Sequence, residues 1–446
     1  MKNVAINSPE WLTRGAVYQI NPRTFNEKGT ISAITEELPA LVKMGFRILY
    51  LCPIFEEDAN PNLENISPRQ KKSNTNNPKN PYRMNDYFRI DSEYGTAEDL
   101  KELVDKAHEM GVKVLLDVVY AHIGPSAPII QKHPEFVEQN PDGSFIYTAW
   151  NFPKLDFRSE GLREYLYSNM MYYISAFDVD GFRCDVGDMV PIDFWKEAHR
   201  RMQAVKPDAV LINEGATLEW LAITFNVSYC FAWHDALHKV FCMDTPATAL
   251  REAYEARAKT LPKNGLLLRD IDTHDTVTDW PQRVEIAATH DGMEQIEVIN
   301  YMIDGVPMVY CGNELACTAK LNMFANRFYM GEFETTNRTD LQGEACRRRM
   351  ALMTKLNEMK RESDVLCHGE TVWLDMGEGE AVVAFKRVYD GEEILFIGNA
   401  KPQQQTLELP DLPANARVIL ENKAEKAANT LTLQPYGYVV YEVKKV

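Results

Sequence analysis

Residues 180–214, DGFRCDVGDMVPIDFWKEAHRRMQAVKPDAVLINE, read as strand, helix, strand, and each strand closes on an acid, Asp185 and Glu214. Two short apolar runs, Asp180–Asp185 and Ala209–Glu214, separated by a helical pattern make a parallel βαβ unit. The same alternation extends outward from about residue 13 to about residue 361. The other candidate strands are Ala16–Ile20, Arg47–Leu51, Lys113–Asp117, Val227–Ala232, Leu266–Asp272 and Val306–Cys311. Eight such units predict an α/β fold closed into a (β/α)8 TIM barrel, with the active site at the carboxyl ends of the strands.

Two stretches break the rhythm. Residues 56–81, rich in Asn, Pro and Lys, read as a long loop after the second strand, able to wall off the site and favour short substrates. Residues 123–157 carry Pro, Gly and aromatics without a 3.6-residue period and read as a small subdomain inserted after the third strand. Beyond the helix at 344–361, alternating segments such as AVVAFKRV, EILFIGNA and GYVVYEV predict a C-terminal antiparallel β-sandwich. The expected domains are the barrel in two parts, 1–122 and 158–361, the insertion 123–157 and the β domain 362–446.

The 446 residues are 45% hydrophobic, yet no apolar run approaches the roughly 20 residues that span a bilayer, so a soluble protein is expected. The start, MKNVAINSPEWLTRG, lacks the basic and apolar segments of a secretory signal. A net charge of −17 disfavours a nucleic-acid partner, because binding phosphates takes clustered Lys and Arg. The eight cysteines form no C-x-x-C pair, and Cys52, Cys184, Cys230 and Cys311 sit in apolar runs. They read as buried reduced thiols, which suits the cytoplasm.

Three strands end in acids, Asp117, Asp185 and Glu214, and LRDIDTHD places Asp275 just past a fourth. Burying an ionised carboxylate costs several kcal/mol unless it is paired, so acids converging on one barrel mouth call for a site. Any one of them alone is more simply an N-cap of the next helix. Neighbouring strands lie about 4.8 Å apart, which lets the Asp185 and Glu214 carboxyls approach the roughly 5–5.5 Å used by retaining glycosidases. Arg183 shares a strand face with Asp185. Its charge is expected to keep Asp185 ionised, while Glu214, nearer other carboxylates, holds its proton longer.

DVVYAH (117–122), GFRCDVGDM (181–189), INEGA (212–216) and DTHDT (272–276) resemble, in order, the four signature segments of the α-amylase family. VYQINPRTF, LYLCPIF and NPYRMNDYFRIDSEYGT are similar to that family's first two barrel units. Within it, NFPKLDF (151–157) and GFRCDVGDMVPIDFW are most similar to the neopullulanase and cyclomaltodextrinase group. The resemblance implies a retaining α-glycoside hydrolase acting on malto-oligosaccharides or related α-glucans. It implies Asp185 as nucleophile, Glu214 as general acid/base and Asp275 as the third acid gripping sugar hydroxyls. Tyr82 is implied as the aromatic platform, and Asp117, His122, Arg183 and His274 as further substrate-binding residues. No cofactor is expected. Ala121 stands where the family has a calcium-binding Asn, and Met189 replaces a common His, so the usual calcium site is expected to be empty, with Asp142 and Asp156 the remaining possible ligands. Arg83 stands where an Asp is common and Asp188 where many relatives have Lys. The alternatives on this fold are a transglycosylase or isomerase of α-glucosides and a catalytically inactive carbohydrate-binding relative. Linkage, endo or exo attack and oligomeric state stay open.

Overall fold

A computed structural model describes residues 3–330, 333–339, 341–377, 380–409 and 412–445. Eight parallel strands close a barrel: β1 (Val17–Ile20), β2 (Ile48–Leu51), β3 (Lys113–Val118), β4 (Gly181–Cys184), β5 (Val210–Asn213), β6 (Val227–Ser228), β7 (Leu266–Arg269) and β8 (Val306–Tyr310). Each strand pairs with its neighbours in sequence, and β8 closes the ring on β1 through Val17 opposite Met308.

Side chains alternate across each strand, so the period of two sorts the barrel into an inside and an outside. Val17, Ile48, Tyr50, Leu115, Val210, Ile212, Leu268 and Val306 fill the interior with Leu12. Their neighbours Tyr18, Leu49, Leu116 and Leu211 join the larger core beneath the surrounding helices. One step further along the inward faces come Asp117, Arg183 and Glu214. The strand pattern that buries the core therefore also delivers the polar residues to the mouth. Gly181 starts β4 at φ +146°, and a Cβ there would stand 2.1 Å from the Val210 carbonyl oxygen, so only glycine lets β5 pair this closely.

The sixth strand is shorter than its sequence suggests. Val227–Ala232 reads as one apolar run, but β6 stops at Ser228 and a helix runs Phe231–Cys242, burying Trp233, Leu237 and Val240. Short apolar runs do not distinguish strand from buried helix. The segment 56–81 is also more ordered than a plain loop. Phe55–Glu57 pairs antiparallel with Met84–Ile90, and between them lies a helix, Pro68–Lys72, N-capped by Ser67.

Residues 123–157 hold a short helix, Pro128–Lys132, and single bridges such as Val137 to Leu155 and His122 to Lys154. Ile130, Phe136 and Phe152 are buried, while Ile129 and Phe145 pack on the core. Six C-terminal strands form one antiparallel sheet around Thr430–Val443, which pairs with Glu392–Asn399, Gln405–Glu408 and Arg417–Ala427. The sheet covers the helix Thr289–Met302, where Gln295 donates to the Gly437 carbonyl at 3.0 Å and Glu294 accepts from the Tyr438 hydroxyl at 3.0 Å. Among the described residues, no helix is long and apolar enough to cross a membrane.

Candidate active site

A pocket of about 160 Å³ opens at the carboxyl ends of the strands, lined among others by Tyr82, His122, Asp185, Glu214, His274 and Asp275. Six of the eight residues singled out in the sequence thus meet at one surface. Asp117 and Arg183, expected to bind substrate, lie beneath that surface and hold it up. Asp117 takes Arg183 Nη1 on both oxygens at 2.8 and 3.0 Å, the Tyr50 hydroxyl at 2.6 Å and the Tyr82 hydroxyl at 3.0 Å. With its side chain at 0% exposure, it has nothing left to offer a sugar.

Arg183 also donates from Nη1 to Asp185 Oδ1 at 2.9 Å, and its Nη2 stands 2.7 Å from Glu214 Oε1. The second contact is an ion pair off the N–H direction, for Nη2 makes no aligned hydrogen bond. The guanidinium therefore spans three carboxylates, which corrects the expectation that it favours Asp185 alone. A planar fork that never deprotonates can do this, whereas a lysine point charge cannot.

Arg183 and the Val186 N–H do not fully offset the burial of this cluster. Burial, together with the Asp275 and Asp117 charges, pushes Glu214 up to about 7 against Arg183 and the Val186 N–H. Burial, and then the Glu214 charge, also raises Asp185 well above the usual carboxylate range despite Arg183. The two share a site where both cannot comfortably be ionised, so the pair titrates as a unit. Val186 N–H donates to Glu214 Oε2 at 2.7 Å. To aim that N–H, Val186 adopts φ 36°, ψ 48°, a left-handed conformation that is strained for a β-branched residue.

Glu214 is followed by a turn fixed by Asp188. Asp188 Oδ2 accepts from Ala216 N at 2.7 Å, Thr217 N at 3.0 Å and the Thr217 hydroxyl at 2.8 Å, while Oδ1 accepts from Asn213 at 3.0 Å. Asp188 thus orders the backbone on either side of Glu214.

On the opposite wall, Gln19 Nε2 lies 2.9 Å from His274 Nδ1, and His274 Nε2 lies 2.7 Å from the Tyr82 hydroxyl. With Gln19 donating, the proton of His274 sits on Nε2, and the Tyr82 hydroxyl passes its own on to Asp117. The Tyr82 ring is stacked on His274 at 5.3 Å. His122 contacts the Tyr82 carbonyl through Nε2 at 2.9 Å, leaving Nδ1 without a protein partner. Burial lowers both His122 and His274 to about 4, so they are neutral at pH 7 and bind hydroxyls rather than anions. Burial favours protonated Asp275, but His274 when charged, Arg69 and Arg183 outweigh it and hold the carboxyl well below its ordinary value. Since His274 is neutral near pH 7, Arg69 is the partner that matters there, with Nη1 2.6 Å from Asp275 Oδ1.

Arg69 was not legible in the sequence as a site residue because its helix, Pro68–Lys72, is a single short turn with no period to read, nor were the pocket-lining Trp150, Met323 and Phe324, which sit on irregular segments. For Arg69 the only signal was the position of 56–81 after the second strand. The acids proposed as remaining metal ligands have other partners: Asp156 is paired with Arg158 at 2.7 Å and Asp142 accepts from the Ser144 hydroxyl at 2.6 Å. Ala121 adds no side-chain oxygen, so these residues do not fit the calcium site of the resemblance.

A barrel with paired carboxylates, a buried arginine and a sugar-sized pocket defines a class of carbohydrate-cleaving enzyme, and comparison gives the family. The α-amylase catalytic domain matches residues 19–149 and 144–364, and the maltogenic amylase C-terminal domain matches 373–440. The chain belongs to the α-amylase family of glycoside hydrolases. It is 24% identical to a cyclomaltodextrinase of Thermoanaerobacter pseudethanolicus, across 96% of this chain and 77% of that one. It is 23% identical to an intracellular maltogenic amylase of Bacillus subtilis, across 97% and 75%. An α-amylase structure from Lactobacillus plantarum superposes with a TM-score of 0.80 at 23% identity, covering 98% of this chain and 100% of that one.

Proposed function

We propose that the protein hydrolyses α-glucosidic bonds of malto-oligosaccharides by double displacement, with Asp185 as nucleophile and Glu214 as acid/base. The observation that carries this reading is a single guanidinium, Arg183, contacting both carboxylates, Asp185 at 2.9 Å and Glu214 at 2.7 Å. That closeness suits a nucleophile and an acid rather than two carboxylates with water between them. In the first step Asp185 Oδ attacks C1 of the sugar, the C1–O bond breaks, and Glu214 gives its proton to the departing oxygen. In the second, Glu214 takes a proton from water as the water oxygen attacks C1 and frees Asp185. Asp275 and the neutral His122 and His274 hold hydroxyls of the ring, and Tyr82 offers its face. Substrates of the named relatives support a malto-oligosaccharide or cyclodextrin. The intracellular relative supports a cytoplasmic setting. In this reading 1–122 and 158–361 are the catalytic barrel, 123–157 an insertion and 362–446 a separate β domain.

Glu214→Gln is expected to lower turnover of maltotriose about 10²–10⁴-fold, the usual worth of general acid–base catalysis. Asp185→Asn should lose at least as much, and azide should restore turnover of an activated aryl α-glucoside in a Glu214 variant, where it replaces the activated water of the second step, but not through the same product in the Asp185 variant. Proton NMR of the first product should show the α anomer. A β anomer as first product refutes the double displacement.

A further inference from the structure

We propose that Arg69 ends the pocket one sugar ring beyond the scissile bond, so that the enzyme shortens α-glucan chains from their non-reducing ends, one glucose at a time. The proposal rests on the glycosidase reading above and adds to it the mode of attack.

The direction of the substrate follows from the two carboxylates. Glu214, at the end of β5, protonates the leaving oxygen, so the leaving group lies on the Glu214 side. In the reading above His274 and Asp275, beyond β7, hold the ring attacked by Asp185, so Arg69, paired with Asp275, lies against that ring and not against the leaving group. On that side Arg69 closes the path. Its Nη1 meets Asp275 Oδ1 at 2.6 Å, its Nε meets Asp279 Oδ1 at 2.8 Å, and its guanidinium stacks 5.5 Å from the Phe324 ring centre. The ring carbons of a further sugar cannot occupy the same volume.

This closure is built in rather than left to one long side chain. Gln70, buried beside Arg69, donates to the Asn77 and Lys79 carbonyls at 2.9 and 3.0 Å. Asn77 in turn donates to the Phe324 carbonyl at 2.9 Å, which fastens the segment after β2 to the segment after β8. Two segments from the sectors on either side of β1 thus make one wall, with the Arg69 guanidinium as its inner face. A pocket of about 160 Å³ is also below the roughly 300–1,000 Å³ of sites that take drug-sized ligands, which fits one ring and not a chain running through.

The test compares p-nitrophenyl α-maltoheptaoside with the same compound carrying a 4,6-O-benzylidene cap on its terminal glucose, and with β-cyclodextrin. Wild type should cleave the free-ended compound with glucose as first product, and the capped and cyclic compounds at least about tenfold more slowly, which narrows the substrate reading above from malto-oligosaccharide or cyclodextrin to the open chain. Arg69→Ala should raise the capped-to-free ratio by about tenfold or more and release longer first products. Phe324→Ala, which leaves the Arg69–Asp275 pair in place, should move the ratio the same way. Cleavage of the capped or cyclic compound by wild type as fast as the free-ended one overturns the wall, as does an unchanged ratio in both variants. Should wild type turn over none of these nor p-nitrophenyl α-glucoside, the glycosidase reading fails. The wall is then judged by calorimetry on wild type, where equal affinity for capped and free maltoheptaose overturns it and a clear preference for the free end upholds it.

Discussion

Glu214 can serve the first step only while it holds a proton. Because burial pushes it up to about 7, kcat/KM is expected to fall as pH rises through that value, read from aryl glucoside turnover between pH 5 and 9. The same shift enters stability, with a sign that can be stated. An unfolded glutamate titrates near about 4.3. The native state thus binds the proton more tightly, so its contribution is fully present below the unfolded value and is lost as pH rises through about 7. The melting temperature of wild type should fall from pH 5 to 8, and that of Glu214→Gln should fall less; a wild-type melting temperature rising over that window contradicts the assignment. The acids of this site were readable in the sequence because strands place them at regular ends. Their protonation was only half readable. A contact from Arg183 to Glu214 depends on the guanidinium bridging two strands, which spacing along one strand does not reveal.

The hairpin and helix after β2 depend on one residue that the family pattern marks as unusual. Arg83 is buried and donates to the carbonyls of Asp58, Asn60, Asn65 and Pro78 at 2.6 to 3.1 Å. At the position where the resemblance leads one to expect an Asp, this chain has a hub that gathers the ends of a long excursion, including the stretch bearing Arg69. Arg83→Met is expected to cost about 3–5 kcal/mol, in the range for removing one partner from a buried charged cluster. A lowered urea midpoint with unchanged slope would show it. A midpoint within error of wild type would mean that the carbonyls find water instead. At this scale the strands and long helices were legible by period, but the order within 56–81 was not, because capping by Ser67 and side-chain bonds from Gln70 and Arg83 have no repeat to detect. The sixth strand was overextended for the related reason that Val227–Ala232 is apolar on either reading.

Across the whole molecule the C-terminal sheet stabilises the barrel as much as it stands beside it. Every residue of the helix Thr289–Met302 from Gly292 onward is buried, between β8 on one side and the sheet on the other. A chain ending at Glu362 would uncover the sheet-facing Gly292, Glu294 and Gln295, which now meet Tyr436, Tyr438 and Gly437. It should therefore be recovered in aggregates, whereas the full chain stays in solution, as size-exclusion chromatography would show; a monomeric, folded truncation would refute the dependence. The antiparallel pattern of this region was legible from alternation alone. That it covers a particular helix was not, since tertiary docking leaves no periodic trace.

The closure of the ring on itself, Val17 against Met308, has a consequence for how the chain comes into being. During synthesis β1 is among the first strands to leave the ribosome, yet its second neighbour is the last barrel strand to be made. Until then the nascent sheet has two open edges of unpaired N–H and C=O groups, the arrangement that invites pairing with other chains. Long-range parallel pairing of this kind is also slow, because the entropy of the intervening chain is lost before the final contacts form. Closure of the barrel therefore waits for its last strand, and the open edges persist at least until translation reaches Tyr310.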